Sequence, residues 1–178
     1  GGDSTPLFGP NKRKNNIYGQ IIKWNPNNND HSSNLFEWSL FAMAGNPEIH
    51  NNNYAGTENI DKDNMFNSPD GLGFNKEGVL LIQTDGSYSN EGEYIGMGNN
   101  QMLCGNPITG EIKRFLVGPK ECEVTGITWS KDYKTLFVGL QHPGEKGNSN
   151  FPGGKNSVPR SSVIAISKKD GSKITFIF

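Results

Sequence analysis

The chain has 178 residues, enough for one domain with its own core, and 17 Lys and Arg stand against 18 Asp and Glu for a formal net charge of -1. That balance supplies no basic field for nucleic acid or an anionic membrane, and no run approaches the ~20 apolar residues of a membrane-spanning helix. Apolar residues make up only 33%, while 23 Gly and 10 Pro punctuate long Asn-rich stretches, a composition that favours an all-β fold with long loops.

In chain order, β-type patterning predicts strands over residues 17–24 and 35–44, then 72–75, 79–83, 102–105 and 112–117. Further strands are expected over 124–129, 136–141, 162–167 and 174–178. Two kinds of unit alternate. Gly71-Leu72-Gly73-Phe74-Asn75-Lys76-Glu77-Gly78-Val79-Leu80-Leu81-Ile82 is matched by Gly126-Ile127-Thr128-Trp129-Ser130-Lys131-Asp132-Tyr133, which after two more residues continues Leu136-Phe137-Val138. The second unit, strand, polar turn, strand, occupies residues 102–116 and again 163–177, and residues 17–38 read as a degenerate first copy.

Four antiparallel strands recurring every 55 to 60 residues or so read as propeller blades, each an inner hairpin followed by an outer one. The expected division is an outer hairpin over about 16–44, a blade over about 70–117 and a blade over about 123–178. That is about two and a half blades, against the four to eight or so of a closed propeller, so the chain is expected to be the C-terminal part of a larger, six-bladed one. A complete small sandwich is the rival architecture. With the short turns on one face, the long connections 45–69, 85–100, 118–122 and 142–161 share the other. Asp70, Asp85, Asn100, Glu123, His142 and Arg160 then lie on a common face.

Three polar stretches end or begin predicted strands: Thr84-Asp85-Gly86, Glu121-Cys122-Glu123-Val124-Thr125-Gly126 and Gln141-His142-Pro143-Gly144-Glu145. Their convergence would make a metal or phosphate site. Carboxylates just before a first strand (Asp70, Glu123) and just after a second (Asp85) suit hard cations, because oxygens from rigid strand ends can enclose an ion. Against this, Asp70-Gly71 and Asp85-Gly86 also read as plain turns. Glu123, between Cys122 and Val124, is poorly explained as a surface residue. His142 reads equally as a ligand, acid or phosphate donor and as a structural turn histidine. Arg160 can offer its guanidinium fork to a phosphate or sit solvated at a strand edge. His31 and His50 fall in Asn-rich loops and read as exposed. Cys104 and Cys122 lack metal-type spacing and read as free structural thiols. Phosphate-loop, His-Glu-x-x-His and Gly-x-Ser-x-Gly signatures are absent.

Taken in order, several short motifs resemble the C-terminal portion of the PhoX-type alkaline phosphatases. They are Asn16-x-Tyr18-Gly19-x-Ile21-x-x-Trp24, Ser68-Pro69-Asp70-Gly71-Leu72, Gln83-Thr84-Asp85, Gly98-Asn99-Asn100-Gln101-Met102-Leu103, Cys122-Glu123-Val124-Thr125-Gly126, Gln141-His142-Pro143-Gly144-Glu145 and Pro159-Arg160-Ser161. The resemblance implies a propeller that hydrolyses small phosphate monoesters with a cluster of iron and calcium, in the periplasm or secreted. It carries Asp70, Asp85, Asn100 and Glu123 over as metal ligands and Arg160 as a phosphate contact, and with the residue-level reading of His142 the expected catalytic residues are Arg160 and His142. The family's iron-binding cysteine has no counterpart in the context of Cys104 or Cys122, so the remainder of the same propeller is expected to complete the cluster, and this segment alone to be inactive. The alternative is a non-catalytic propeller module binding a protein or carbohydrate.

Overall fold

Strands form here where β-branched and aromatic residues alternate, and they stop at turns whose side chains satisfy the backbone. The computed structural model, which describes residues 6–178, holds β1 (Gln20–Pro26), β2 (Phe36–Met43), β3 (Pro69–Phe74), β4 (Leu80–Thr84) and β5 (Gln101–Gly105). These are followed by β6 (Ile112–Val117), β7 (Glu123–Trp129), β8 (Thr135–Gln141) and β9 (Ser162–Ser167). Single 3-10 turns at Asn27–Asn29, Asn53–Ala55 and Gly92–Tyr94 are the helical segments among the described residues. The class is all-β, as expected.

Three antiparallel sheets result, ordered β1-β2, β3-β4-β5-β6 and β7-β8-β9. Polar side chains close the short hairpin turns. Asn75 Oδ1 accepts from the Glu77 and Val79 N–H groups, Asn106 Oδ1 from those of Ile108 and Thr109, and Ser130 Oγ from Thr135 N–H. The longer connections therefore emerge at the opposite end of the sheets.

The second sheet is packed on both sides. Leu80 and Ile82 of β4 and Leu103 of β5 join a core with Tyr18, Ile21, Ala42 and Phe66. Leu81 of β4 and Met102 and Cys104 of β5 join another with Cys122, Val124, Leu136, Val138 and Leu140. Successive strand residues face opposite ways, so β4 and β5 must be apolar on both faces, and all five residues of each are buried. Each fully buried Leu or Ile here contributes about 1.5–3 kcal/mol.

Two expectations are corrected. Residues 174–178 do not form a strand, and the third sheet has three strands. Ile174 N–H donates to the Tyr133 carbonyl, and the Phe176 ring meets Phe115 of β6 at 5.1 Å and Trp129 of β7 at 6.4 Å, edge-on in each case. The segment thus closes the apolar seam between the second and third sheets, and aromatic burial decides its path over strand pairing. The first strand begins at Gln20 because Asn16 Oδ1 accepts from Gly19 N–H, turning the chain so that Tyr18 is fully buried. Arg13, 1% exposed, locks that turn by donating to the Ala44 and Gly19 carbonyls at 2.5 and 2.7 Å.

Candidate metal centre

Antiparallel pairing sets the start of β7 beside the end of β8, with Glu123 opposite Gln141. Gln83, next to last in β4, ties that strand to β7 by donating from Nε2 to the Gly126 carbonyl at 3.3 Å. Asp85, Glu123 and His142 consequently offer ligand atoms that all lie within 4.8 Å of one another. Asp85 is exposed, His142 half-buried and Glu123 buried, so the trio leads from solvent into the protein.

Each member is held by local geometry. Glu123 Oε2 accepts from Gln141 Nε2 at 2.6 Å and lies 3.7 Å from His142 Nε2. His142 has φ 38°, a left-handed conformation that few residues with a Cβ adopt, and its N–H donates to Ser161 Oγ at 2.9 Å. After Asp85 the chain turns through Gly86, where a Cβ would sit 1.8 Å from Asn67 Oδ1, so only glycine fits. Asp85 N–H is itself anchored on the Ser68 carbonyl at 3.1 Å.

The surroundings are acidic. Glu145 Oε2 lies 4.0 Å from His142 Nδ1 and accepts from the Tyr88 hydroxyl at 3.1 Å. The Tyr88 hydroxyl is pushed above its ordinary value, first by burial, then by this hydrogen bond and by the charges of Glu145, Glu121 and Asp85. Glu121 is held below its ordinary value by the side-chain hydrogen bond from Asn148, and it also receives the Lys146 and Asn148 N–H groups. That carboxylate braces the loop after His142 and is not one of the three converging groups.

Two carboxylates and an imidazole this close fit a cation. Hard oxygen donors suit calcium, and adding an imidazole broadens the set to iron and its neighbours. Among the described residues no Lys or Arg pairs with Asp85 or Glu123, and His142 Nδ1 is buried without a hydrogen-bond partner. A bound ion would offset the repulsion that these charges otherwise leave. The adjacent Cys122 thiol is pushed up to about 12, mainly by burial. Both cysteines are free and buried.

Of the six residues singled out from sequence, Asp85, Glu123 and His142 are the ones this grouping unites. Asp70, exposed on β3, and Arg160, exposed before β9, make no side-chain hydrogen bond or ion pair among the described residues. Asn100 is buried beside the trio with its amide fully bonded to protein groups. His31 is exposed, whereas His50 is not a free loop histidine: its Nε2 lies 2.7 Å from Glu93 Oε2 and 3.2 Å from the Tyr18 hydroxyl. Sequence reasoning passed over Tyr88 and gave Gln141 and Glu145 only as members of the stretch around His142, with no role of their own. The i, i+3 spacing of His142 and Glu145 was the one available signal, because a turn at Pro143-Gly144 can fold the second back on the first.

The family model for alkaline phosphatase PhoX matches residues 2–144. Among solved structures, the chain is similar to Pseudomonas fluorescens PhoX in complex with vanadate, a transition state analogue, with 57% identity and a TM-score of 0.93. That match covers 97% of this chain and 30% of the other, so the sequence spans less than a third of its relative's length. No curated protein matches the chain.

Proposed function

The chain belongs to the alkaline phosphatase PhoX family, and from that premise we propose that it is one part of a metal-dependent enzyme hydrolysing small phosphate monoesters. The observation that carries the reading is the convergence of Asp85, Glu123 and His142 from three strand ends. The vanadate complex of the Pseudomonas fluorescens relative supports phosphoryl chemistry.

In this reading Asp85 and Glu123 hold calcium or iron through oxygen, and His142 adds a nitrogen donor or serves as the acid. The metal, when bound, supplies Lewis-acid polarisation and orients an oxygen nucleophile. Gln141 keeps Glu123 aimed, since its amide fixes one carboxylate oxygen. Arg160, exposed and with no partner on its guanidinium among the described residues, contributes that group to the phosphoryl oxygens. Asp70 adds a further oxygen at the rim. The two-, four- and three-stranded sheets are read as successive blades of a larger propeller, completed by the remainder of the protein. Its place of work is the periplasm or the exterior.

The test is elemental analysis and phosphatase assay of the full-length protein. Wild type should carry stoichiometric iron and calcium, Glu123→Gln should lose both metal and turnover, and Arg160→Ala should keep metal while losing turnover. A metal-free wild type would favour the non-catalytic binding module, and wild-type rates in both variants would end the proposal.

A further inference from the structure

A primary amide has two N–H donors and two lone pairs on oxygen, and Asn100 uses all four. Its Oδ1 accepts from the Thr84 hydroxyl at 2.9 Å and from Gly86 N–H at 2.8 Å. Its Nδ2 donates to the Gly86 carbonyl at 3.0 Å and to the Cys122 carbonyl at 2.8 Å. The side chain is buried, and its orientation is unambiguous, because a flipped amide would set oxygen against two carbonyls and nitrogen against an N–H. No lone pair is left to ligate a cation.

The four bonds fall on a meaningful pair of places. Gly86 directly follows Asp85 and is gripped at both its N–H and its carbonyl. The Cys122 carbonyl belongs to the peptide that carries the nitrogen of Glu123. A single amide therefore joins the backbone just beyond one ligand carboxylate to the backbone just before the other. Asn100 is itself fixed, since its carbonyl accepts from Gly118 N–H at 2.8 Å and the next residue's N–H donates to the same Thr84 hydroxyl at 2.9 Å.

We propose that Asn100 is a positioning residue that sets the spacing of Asp85 and Glu123, and that it does not itself touch the metal. The proposal rests on the metal reading given above and refines it. Asparagine is the side chain this place requires. Aspartate would present oxygen to two carbonyls, alanine would withdraw the amide from the Gly86 N–H and carbonyl, the Cys122 carbonyl and the Thr84 hydroxyl, and glutamine would force an extra methylene into a packed site.

The two roles predict opposite results for one substitution. If Asn100 were a ligand, Asn100→Asp would match or tighten calcium binding, because a carboxylate is the better hard donor. As a positioning residue, it should weaken binding of calcium by about ten- to a hundredfold while excess calcium still restores the wild-type stoichiometry. The measurement is calorimetric titration of calcium chloride into chelator-stripped full-length protein, with a thermal melt of each apo variant. Affinity equal to or tighter than wild type overturns the proposal. So does a lowered melting temperature with unchanged affinity in the folded fraction, the result expected of a merely structural residue. Thr84→Val covers the case in which Asn100→Asp does not fold: it removes one of the four bonds and should weaken calcium in the same direction by a few fold, and an unchanged affinity there overturns the proposal as well. Wild-type protein that takes up no calcium refutes the metal reading itself, and the proposal with it.

Discussion

Gln141 Nε2 donates to Glu123 Oε2 at 2.6 Å across the first register pair of β7 and β8, so the buried carboxylate has one oxygen fixed before any ligand arrives. A partner of this kind orients a donor and lowers the disorder it must lose on binding. The relationship gives a first prediction. In the full-length protein, Gln141→Ala should reduce metal affinity by about 10- to 100-fold, with Glu123→Gln more severe. Competition with a chelator reads this directly, and wild-type affinity in Gln141→Ala would show that the hydrogen bond orients nothing.

Arg13 predicts a large stability effect far from that chemistry. Its guanidinium is buried, donates to the carbonyls of Ala44, Gly19 and Asn53, and lies over the rings of Tyr18 and Tyr54 at 5.6 and 5.8 Å. Arg13→Met keeps much of the apolar stem and removes every donor, so it should cost about 3 kcal/mol or more. Arg13→Lys should recover only part, because one ammonium cannot reproduce the fork. Urea denaturation midpoints check both, and a loss below about 0.5 kcal/mol in Arg13→Met, the scale of a bland surface change, would contradict the account.

The Tyr18–His50–Glu93 network predicts a pH dependence with a definite sign. The Glu93 carboxyl is held below its ordinary 4.5, first by the Tyr18 hydroxyl and then by the His50 hydrogen bond. A carboxyl depressed in the folded state contributes stability above its unfolded value and loses it as pH falls through the folded one. The contribution is therefore intact above pH 4.5 and disappears below it. Glu93→Gln should flatten the stability profile in that acid range. Parallel wild-type and variant curves between pH 3 and 6 would rule the contribution out.

Strand existence was legible because period-two patterning and Asn, Gly and Asp turns are local signals. Every strand predicted from residue 79 to residue 167 is found within a few residues of its place. Residues 174–178 have the same alternating look, yet Phe176 found a better environment between Phe115 and Trp129 than along a strand edge. Patterning records which way a side chain points and carries nothing about the partner surface it will meet.

The same division holds at the candidate centre. Sequence alone determined the all-β class, the placing of Asp85, Glu123 and His142 at strand ends, and the donor chemistry those residue types bring. Only the tertiary structure decided that these three converge within 4.8 Å and that Asn100 turns its amide to the backbone. The reason is that a strand's own residues fix its faces and ends, whereas the distance between ends depends on how separate sheets pack. Here that packing rests on the shared apolar faces of β4, β5 and β7 and on the one amide that links Gly86 to Cys122.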